Sequence, residues 1–383
     1  MSRPLSDLTA ALGTIAPLSL AEPWDKVGLL VAGDGTPVSR VLLAIDVVPE
    51  VLAEAKSVGA GLIVGYHPLL FKPLERLDGA TWQGRVALDA VRAGIAVYSP
   101  HTALDAVEGG VNDWLVDCAA RAAGASIVER RALQPAVAPL TNTHKLVVFV
   151  PEDAADTVRD ALAAAGAGRI GLYSQCSFTA PGQGTFLGGE GAAPAVGKSG
   201  RLERVAEMRL EMPFHRRQLG AVIEALRGAH PYEEPAFDIV PLEAPPSGGP
   251  AGVGRFARLS KPCFSAELAE CLQPLLGCSR IDRTGTRLAG RAYPCPHSVV
   301  AVCAGSGASL LDAAAAQGAT CFLTGELSHH DVLRAHALGL EVLLAGHTNT
   351  ERGYLPRLAA LLAERVPGVE CIVSAADTDP LAH

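Results

Sequence analysis

Apolar residues in the outer thirds of the chain come in two alternating rhythms. The continuous run "RVLLAIDV" (40–47) is followed by the helically spaced "PEVLAEAKSVG" (49–59), and then by a second run in "AGLIVGYHP" (60–68). "TWQGRVALDAVRAG" (81–94) again has helical spacing, and "IAVYSPHTALD" (95–105) is a third run, ending at a histidine. The C-terminal third repeats the order in "SVVAVCAG", "ASLLDAAAAQG", "ATCFLTGE", "HHDVLRAHALG" and "LEVLLAGHTNTE" (298–351). Uninterrupted apolar strands separated by amphipathic helices predict parallel strands covered on both faces. At the amino end, Leu5, Leu8, Leu12 and Ile15 recur at helical spacing, with Ser6 or Asp7 as the expected N-cap.

The middle third has another order. "HKLVVFVP" (144–151) reads as a strand, "EDAADTVRDALAAAG" as a helix, and "LYSQCSFTAPGQGTFLG" with "RVAEMRLEMPF" as a long hairpin. "RRQLGAVIEALRGAHP" is a helix and "AFDIVPL" a last strand, which makes a ferredoxin-like βαββαβ unit. The Pro-rich segments "LQPAVAPLTNT" (133–143) and "EAPPSGGPAG" (243–252) bracket it as linkers. The predicted organisation is a discontinuous, duplicated α/β domain, formed by residues 1–140 and 250–383 with mostly parallel sheets. Residues 144–242 form an inserted α+β domain.

Composition narrows the possibilities. A net charge of −8 argues against a broad nucleic-acid footprint, and no apolar stretch is long enough to span a bilayer. Nine cysteines without a C-x-x-C pair argue for reduced thiols rather than a disulfide framework, and so for a cytoplasmic setting.

The polar residues at the strand ends carry the chemistry. Each third strand runs into His-Thr-x-x-acid, His101 to Asp105 in one repeat and His347 to Glu351 in the other, and His67 ends the strand before the first. Ligands of open α/β sheets collect beyond the carboxyl ends of the strands. Neutral imidazole and carboxylate suit zinc, iron, manganese or nickel alike, and a carboxylate has enough lone pairs to bridge two cations. Taken alone, Glu351 could equally be a first-turn acid matched to the helix dipole. Thr348 or Asn349 is the expected cap of that helix.

"EPWDKVGLLV", "YHPLLFKP", "SPHTALDAVEGGVNDWL", "CAGSG", "TGELSHHDVLRA" and "GHTNTERG" follow one another along both outer thirds. With them the chain resembles the NIF-three-like family of dinuclear-metal ring hexamers, often labelled GTP cyclohydrolase 1 type 2 homologues. "HPYEEPAFDIVPL" (230–242) resembles the CutA-like insert of its longer members. The resemblance implies metal ligands at His67, Asp105, His347 and Glu351, one or two divalent ions per subunit, and a homo-oligomer, a hexamer by the family pattern. Two positions depart from it. Tyr66 stands where many relatives have a further histidine, and Lys26 where asparagine is common.

The remaining candidates are ranked below the ligands. His329 and His330 are candidate proton carriers, each with a solvated helix start as the plain alternative. His101 is expected to orient Asp105 or touch substrate. Gly305, Ser306 and Gly307 offer backbone amides for an anion, though such turns are common. Trp24 can stack on a base or simply pack. The functional expectation is a di-metal hydrolase of a small phosphorylated or nucleotide-like molecule. The alternative is a ring scaffold or metal-handling protein without turnover.

Overall fold

The computed structural model describes residues 2–73, 76–136, 142–192, 194–243, 250–284 and 295–381. The strands are β1 (Gly28–Ala32), β2 (Arg40–Ala44), β3 (Leu62–Gly65), β4 (Ala96–Ser99) and β5 (Ile127–Pro135), then β6 (His144–Pro151), β7 (Phe178–Leu187), β8 (Leu202–Phe214) and β9 (Phe237–Pro241). They continue as β10 (Gly252–Cys263), β11 (Asp282–Arg283), β12 (His297–Ser306), β13 (Cys321–Glu326), β14 (Glu341–Leu344) and β15 (Glu370–Val373). Two compact units result, Met1–Ala136 with Ser247–His383, and Val137–Pro246.

In the first unit one sheet has the order β1-β4-β3-β2-β15 and the other β11-β14-β13-β12-β10-β5. β2, β3 and β4 are mutually parallel, as are β12, β13 and β14, and each triplet carries its helices in the same positions. This is the duplication predicted from the alternating runs. Val41 and Leu43 of β2 face a core shared by both sheets, together with Val300, Val302, Leu323 and the helices Leu5–Ile15, Val111–Ala122, Ser265–Leu276 and Leu355–Arg365. Leu42, Ala44 and Ile63 face outward onto the helices Pro49–Val58 and Trp82–Arg92. Both strand faces are therefore buried, as continuous apolar runs require.

Val137–Pro246 has the sheet order β7-β8-β6-β9 with every described pairing antiparallel, and its two helices pack on it through Val158, Leu162, Val222 and Leu226. That is the split βαβ arrangement predicted.

Three readings need correction. The first helix starts at Leu5 behind Pro4 with no side-chain cap, so Ser6 and Asp7 lie inside its first turn. Leu133–Pro135 belongs to β5 rather than to a linker, while 137–141 and 244–249 of the two linkers lie outside the described residues. Asn349–Arg352 is a four-residue helix behind Thr348, and neither expected cap acts as one. Asn349 instead donates its amide to the Ala345 carbonyl at 2.9 Å.

Candidate metal centre

The carboxyl ends of the two parallel triplets lie in one unit, and their strand-end histidines meet. The His67 and His347 ring centroids are 5.3 Å apart. His67 Nδ1 lies 2.9 Å from Asp46 Oδ1, and His347 Nδ1 lies 3.0 Å from Glu326 Oε1. A carboxylate at Nδ1 selects the tautomer with the proton there and leaves a lone pair on Nε2. Both Nε2 atoms then face the same buried side chain, Glu351, with Oε2 3.4 Å from His67 and Oε1 3.4 Å from His347.

Lone pairs set against lone pairs repel unless something positive lies between them. Glu351 Oε2 is buried without a hydrogen-bond partner among the described residues, which is costly for a carboxylate oxygen. Donors about 2.0–2.1 Å from a tetrahedral ion are themselves roughly 3.3–3.4 Å apart, which matches the 3.4 Å seen here. Gly305 adds the space. Its φ is +62°, and a Cβ there would fall 2.8 Å from Glu351 Oε1 and 3.0 Å from His347 Nε2. His67, His347 and Glu351 can thus bring ligand atoms within 4.8 Å of one another, and they fit a divalent cation.

Electrostatics agree. Desolvation, foremost, works to lower the His67 pKa, but the Asp46 hydrogen bond and the facing Glu351 carboxylate outweigh this and raise it to about 10. Positive charge is therefore stabilised at this point. Burial also works to raise Asp46, yet the His67 hydrogen bond leaves it below the usual carboxylate range.

Asp105 lies outside that three-residue cluster. The Tyr66 hydroxyl, in the position of the missing histidine, donates a short hydrogen bond to Asp105 Oδ1. Burial, foremost, raises Asp105 to about 6, and burial with the nearby Asp105 and Glu351 charges holds the Tyr66 phenol well above its usual value. Tyr66 is thus a neutral donor to one oxygen that a second cation would need.

Whole-chain comparisons add to this geometry. The Duf34/NIF3 (NGG1p interacting factor 3) family model matches residues 4–380. The chain belongs to that family. A GTP cyclohydrolase 1 type 2 homolog of Halalkalibacterium halodurans is 36% identical over 371 residues, covering 95% of each chain. NIF3-like protein 1 of Bos taurus is 34% identical, covering 99% of this chain and 93% of that one. A solved Bacillus cereus protein related to NIF3 matches over 100% of both chains with a TM-score of 0.65 and 32% identity.

The other expected residues of this NIF3 family member are placed as follows. His101 does not orient Asp105 through any described hydrogen bond. Its Nδ1 lies 2.8 Å from Asp25 Oδ1, its φ is +30°, and its ring lies edge-on to Tyr66 and His67. Asp25 also accepts from the Thr102 hydroxyl and, at 2.7 Å, from the Lys26 amide, so this network forms without an asparagine at 26. Trp24 is 54% exposed, its ring edge-on to Phe71 and His101, so it is not a core packing residue.

At the 305–307 turn, part of the expected amide cradle is already engaged. β12 runs to Ser306, the Gly305 amide donates to Thr350 Oγ1 at 2.8 Å, and the preceding Ala304 amide donates to Asn112 Oδ1. Gly305 lines the site as a gap rather than an anion donor. Gly307 has a different neighbourhood, packed against Thr324 and Phe322. His329 and His330 open the helix His329–Ala337, exposed, with ring centroids 5.6 Å apart. No described hydrogen bond ties them to His67, His347 or Glu351.

Asp25, Asp46, Glu326 and Asn112 are the residues missed. Glu326 ends β13 and Asp46 lies two residues beyond the end of β2, as His67 does beyond β3, so the rule that found His67 could have found them.

Proposed function

We propose that the cleft holds one divalent cation on His67, His347 and Glu351, and that it serves metal-assisted hydrolysis of a small phosphorylated or nucleotide-like molecule. The observation that carries this reading is the buried Glu351 carboxylate facing two imidazole Nε2 atoms at 3.4 Å. A cation there would supply Lewis-acid polarisation and activate water. Asp46 and Glu326 hold the two rings in register and keep their Nε2 lone pairs turned inward. Tyr66 keeps its proton and donates a hydrogen bond to Asp105 beside the ligands, and Asp105, raised to about 6, is the candidate there for general acid or base work. Trp24 and Phe71 form an exposed aromatic lip suited to a flat ring, and His329 and His330 are the candidate external proton carriers. GTP ring opening belongs to this reading only through the names of relatives. A cytoplasmic homo-hexamer is the assembly the resemblance suggests, and solution mass would test it.

A second reading is metal binding without turnover. The Tyr66–Asp105 hydrogen bond favours it, because a paired-metal mechanism needs both positions. Glu351→Gln separates the two readings, since it keeps the side chain's shape and removes the charge between the imidazoles. Under the hydrolase reading, metal-replete protein turns over a member of a nucleotide and phosphoester panel, and the variant loses metal and at least a hundredfold in rate. Absence of turnover across the panel, with metal still lost in the variant, would leave only the second reading. Retention of full metal content by Glu351→Gln would overturn both.

A further inference from the structure

The triplet of parallel strands that carries His347 at its carboxyl ends gathers a second set of donors at its amino ends. His297 opens β12, Cys321 opens β13 and Glu341 opens β14. Cys321 and Glu341 are register partners, and so are Cys263 and His297. Cys295 precedes His297 by two residues with Pro296 between them. Cys295, His297 and Glu341 bring Sγ, a ring nitrogen and a carboxylate oxygen within 4.8 Å of one another, with His297 and Glu341 buried.

The partners of these groups prepare them for a cation. His297 Nδ1 lies 3.0 Å from the Thr320 hydroxyl, and Nε2 lies 3.0 Å from Glu341 Oε2. The other Glu341 oxygen accepts a short hydrogen bond from Ser265, which fixes the carboxylate plane. A ligating histidine is ordinarily held in this way, one nitrogen on an outer partner and the other turned to the metal. Cys321 is fully buried beside the cluster. Two features oppose occupancy: the His297 Nε2–Glu341 Oε2 hydrogen bond must open, and Arg283 Nη1, 3.7 Å from Glu341 Oε1 and 3.3 Å from Ser265 Oγ, must give way to the ion.

We propose that Cys295, His297 and Glu341 form a second, structural metal site for a thiophilic divalent cation of the zinc class, pinning the amino ends of β12 and β14 together with Cys295 and Pro296 just ahead of β12. Mixed sulfur, nitrogen and carboxylate donors select such an ion over magnesium or calcium. This site is separate from the cleft and does not depend on how the cleft works. When the ion binds, the Cys295 thiol gives up its proton to solvent, and any proton on His297 leaves with it.

Cobalt(II) loading of the full-length Glu351→Gln protein tests this, because the cleft ligands contain no sulfur. A thiolate-to-cobalt charge-transfer band is expected, with about one ion per chain. Cys295→Ser in that background should abolish the band and lower the metal content by one ion, while Cys271→Ser, at an exposed cysteine, should leave both unchanged. Absence of the band in the Glu351→Gln protein overturns the proposal, and so does an undiminished band in the Cys295→Ser variant. If Cys295→Ser fails to fold, zinc-edge X-ray absorption on the Glu351→Gln protein decides the matter. Sulfur with imidazole scattering supports the site, and scattering from nitrogen and oxygen alone overturns it.

Discussion

Tyr66 is the residue that most changes what the cleft can bind. Its hydroxyl takes up Asp105 Oδ1, and burial keeps the phenol protonated, so the place a paired cation would use carries a proton instead. Tyr66→His restores a nitrogen donor and frees that oxygen. Metal content by elemental analysis is expected to rise by about one ion per chain over the unaltered protein. An unchanged value would show that the tyrosine is not what limits the site. His67 sets the pH response. Its pKa in the metal-free fold is raised from 6.5 to about 10 by Asp46 and Glu351. Such a shift contributes stability that is fully present below the unfolded value of 6.5 and is lost as pH rises through about 10. A cation must displace that proton, so the sign for metal binding is opposite. Apparent affinity should climb about tenfold from pH 7 to pH 8 in a chelator competition, and His67→Gln should abolish that climb.

Among the elements, the helix Val111–Ala122 is the one that joins the two repeats at the cleft. Asn112, fully buried, donates to the Asp105 carbonyl at 3.1 Å and accepts from the Ala304 amide at 2.9 Å. The next residue, Asp113, meets the buried Arg255 of β10 through both carboxylate oxygens, at 2.9 and 3.1 Å. The Arg255 guanidinium also donates to the carbonyls of Gly252, Gly254, Ala106 and Val107, so its charge is compensated on every side. Removing one partner of such a pair strands the other in a low dielectric. Asp113→Ala should therefore cost about 3–5 kcal/mol in urea denaturation, far beyond the value of an exposed pair such as Arg40–Glu370. A loss under 1 kcal/mol would mean that water reaches Arg255.

On the scale of the whole molecule, the two repeats exchange edge strands. β5, from the N-terminal segment, pairs with β10, and β15, from the C-terminal end, pairs with β2. Neither sheet is complete without chain from the other side of the insertion, so the outer unit should unfold in one cooperative step. The insertion is topologically simple. Gly252 of β10 is the register partner of Pro135 in β5, and the Ala136 amide donates to the Ala251 carbonyl at 2.9 Å. Chain leaving the outer unit and chain returning to it are therefore adjacent. Replacing 137–250 by a short Gly-containing turn should leave a soluble outer unit with unchanged metal content per chain and a single thermal transition. Loss of the metal on excision would instead assign the inserted unit a part in building the cleft. Among the described residues, no helix is long and apolar enough to cross a membrane.

The sequence alone determined the elements whose signal is local. Runs such as "LIVG" and "VLLA", buried on both faces, read as parallel strands because alternate side chains face two different cores, and the βαββαβ order followed from periodicity. His67 and His347 were legible because strand ends are where such sheets bind ligands. β5 and β10 were not. "IVERRALQP" is half polar, and it forms a strand only because β10, more than a hundred residues away, supplies its hydrogen bonds. The placing of Asp46 and Glu326 on Nδ1, the use of the Gly305 amide by Thr350, and the Tyr66–Asp105 proton were likewise decided by tertiary structure. Each depends on which polar atoms face one another once two distant strand ends meet, and that distance in space has no local signature along the chain.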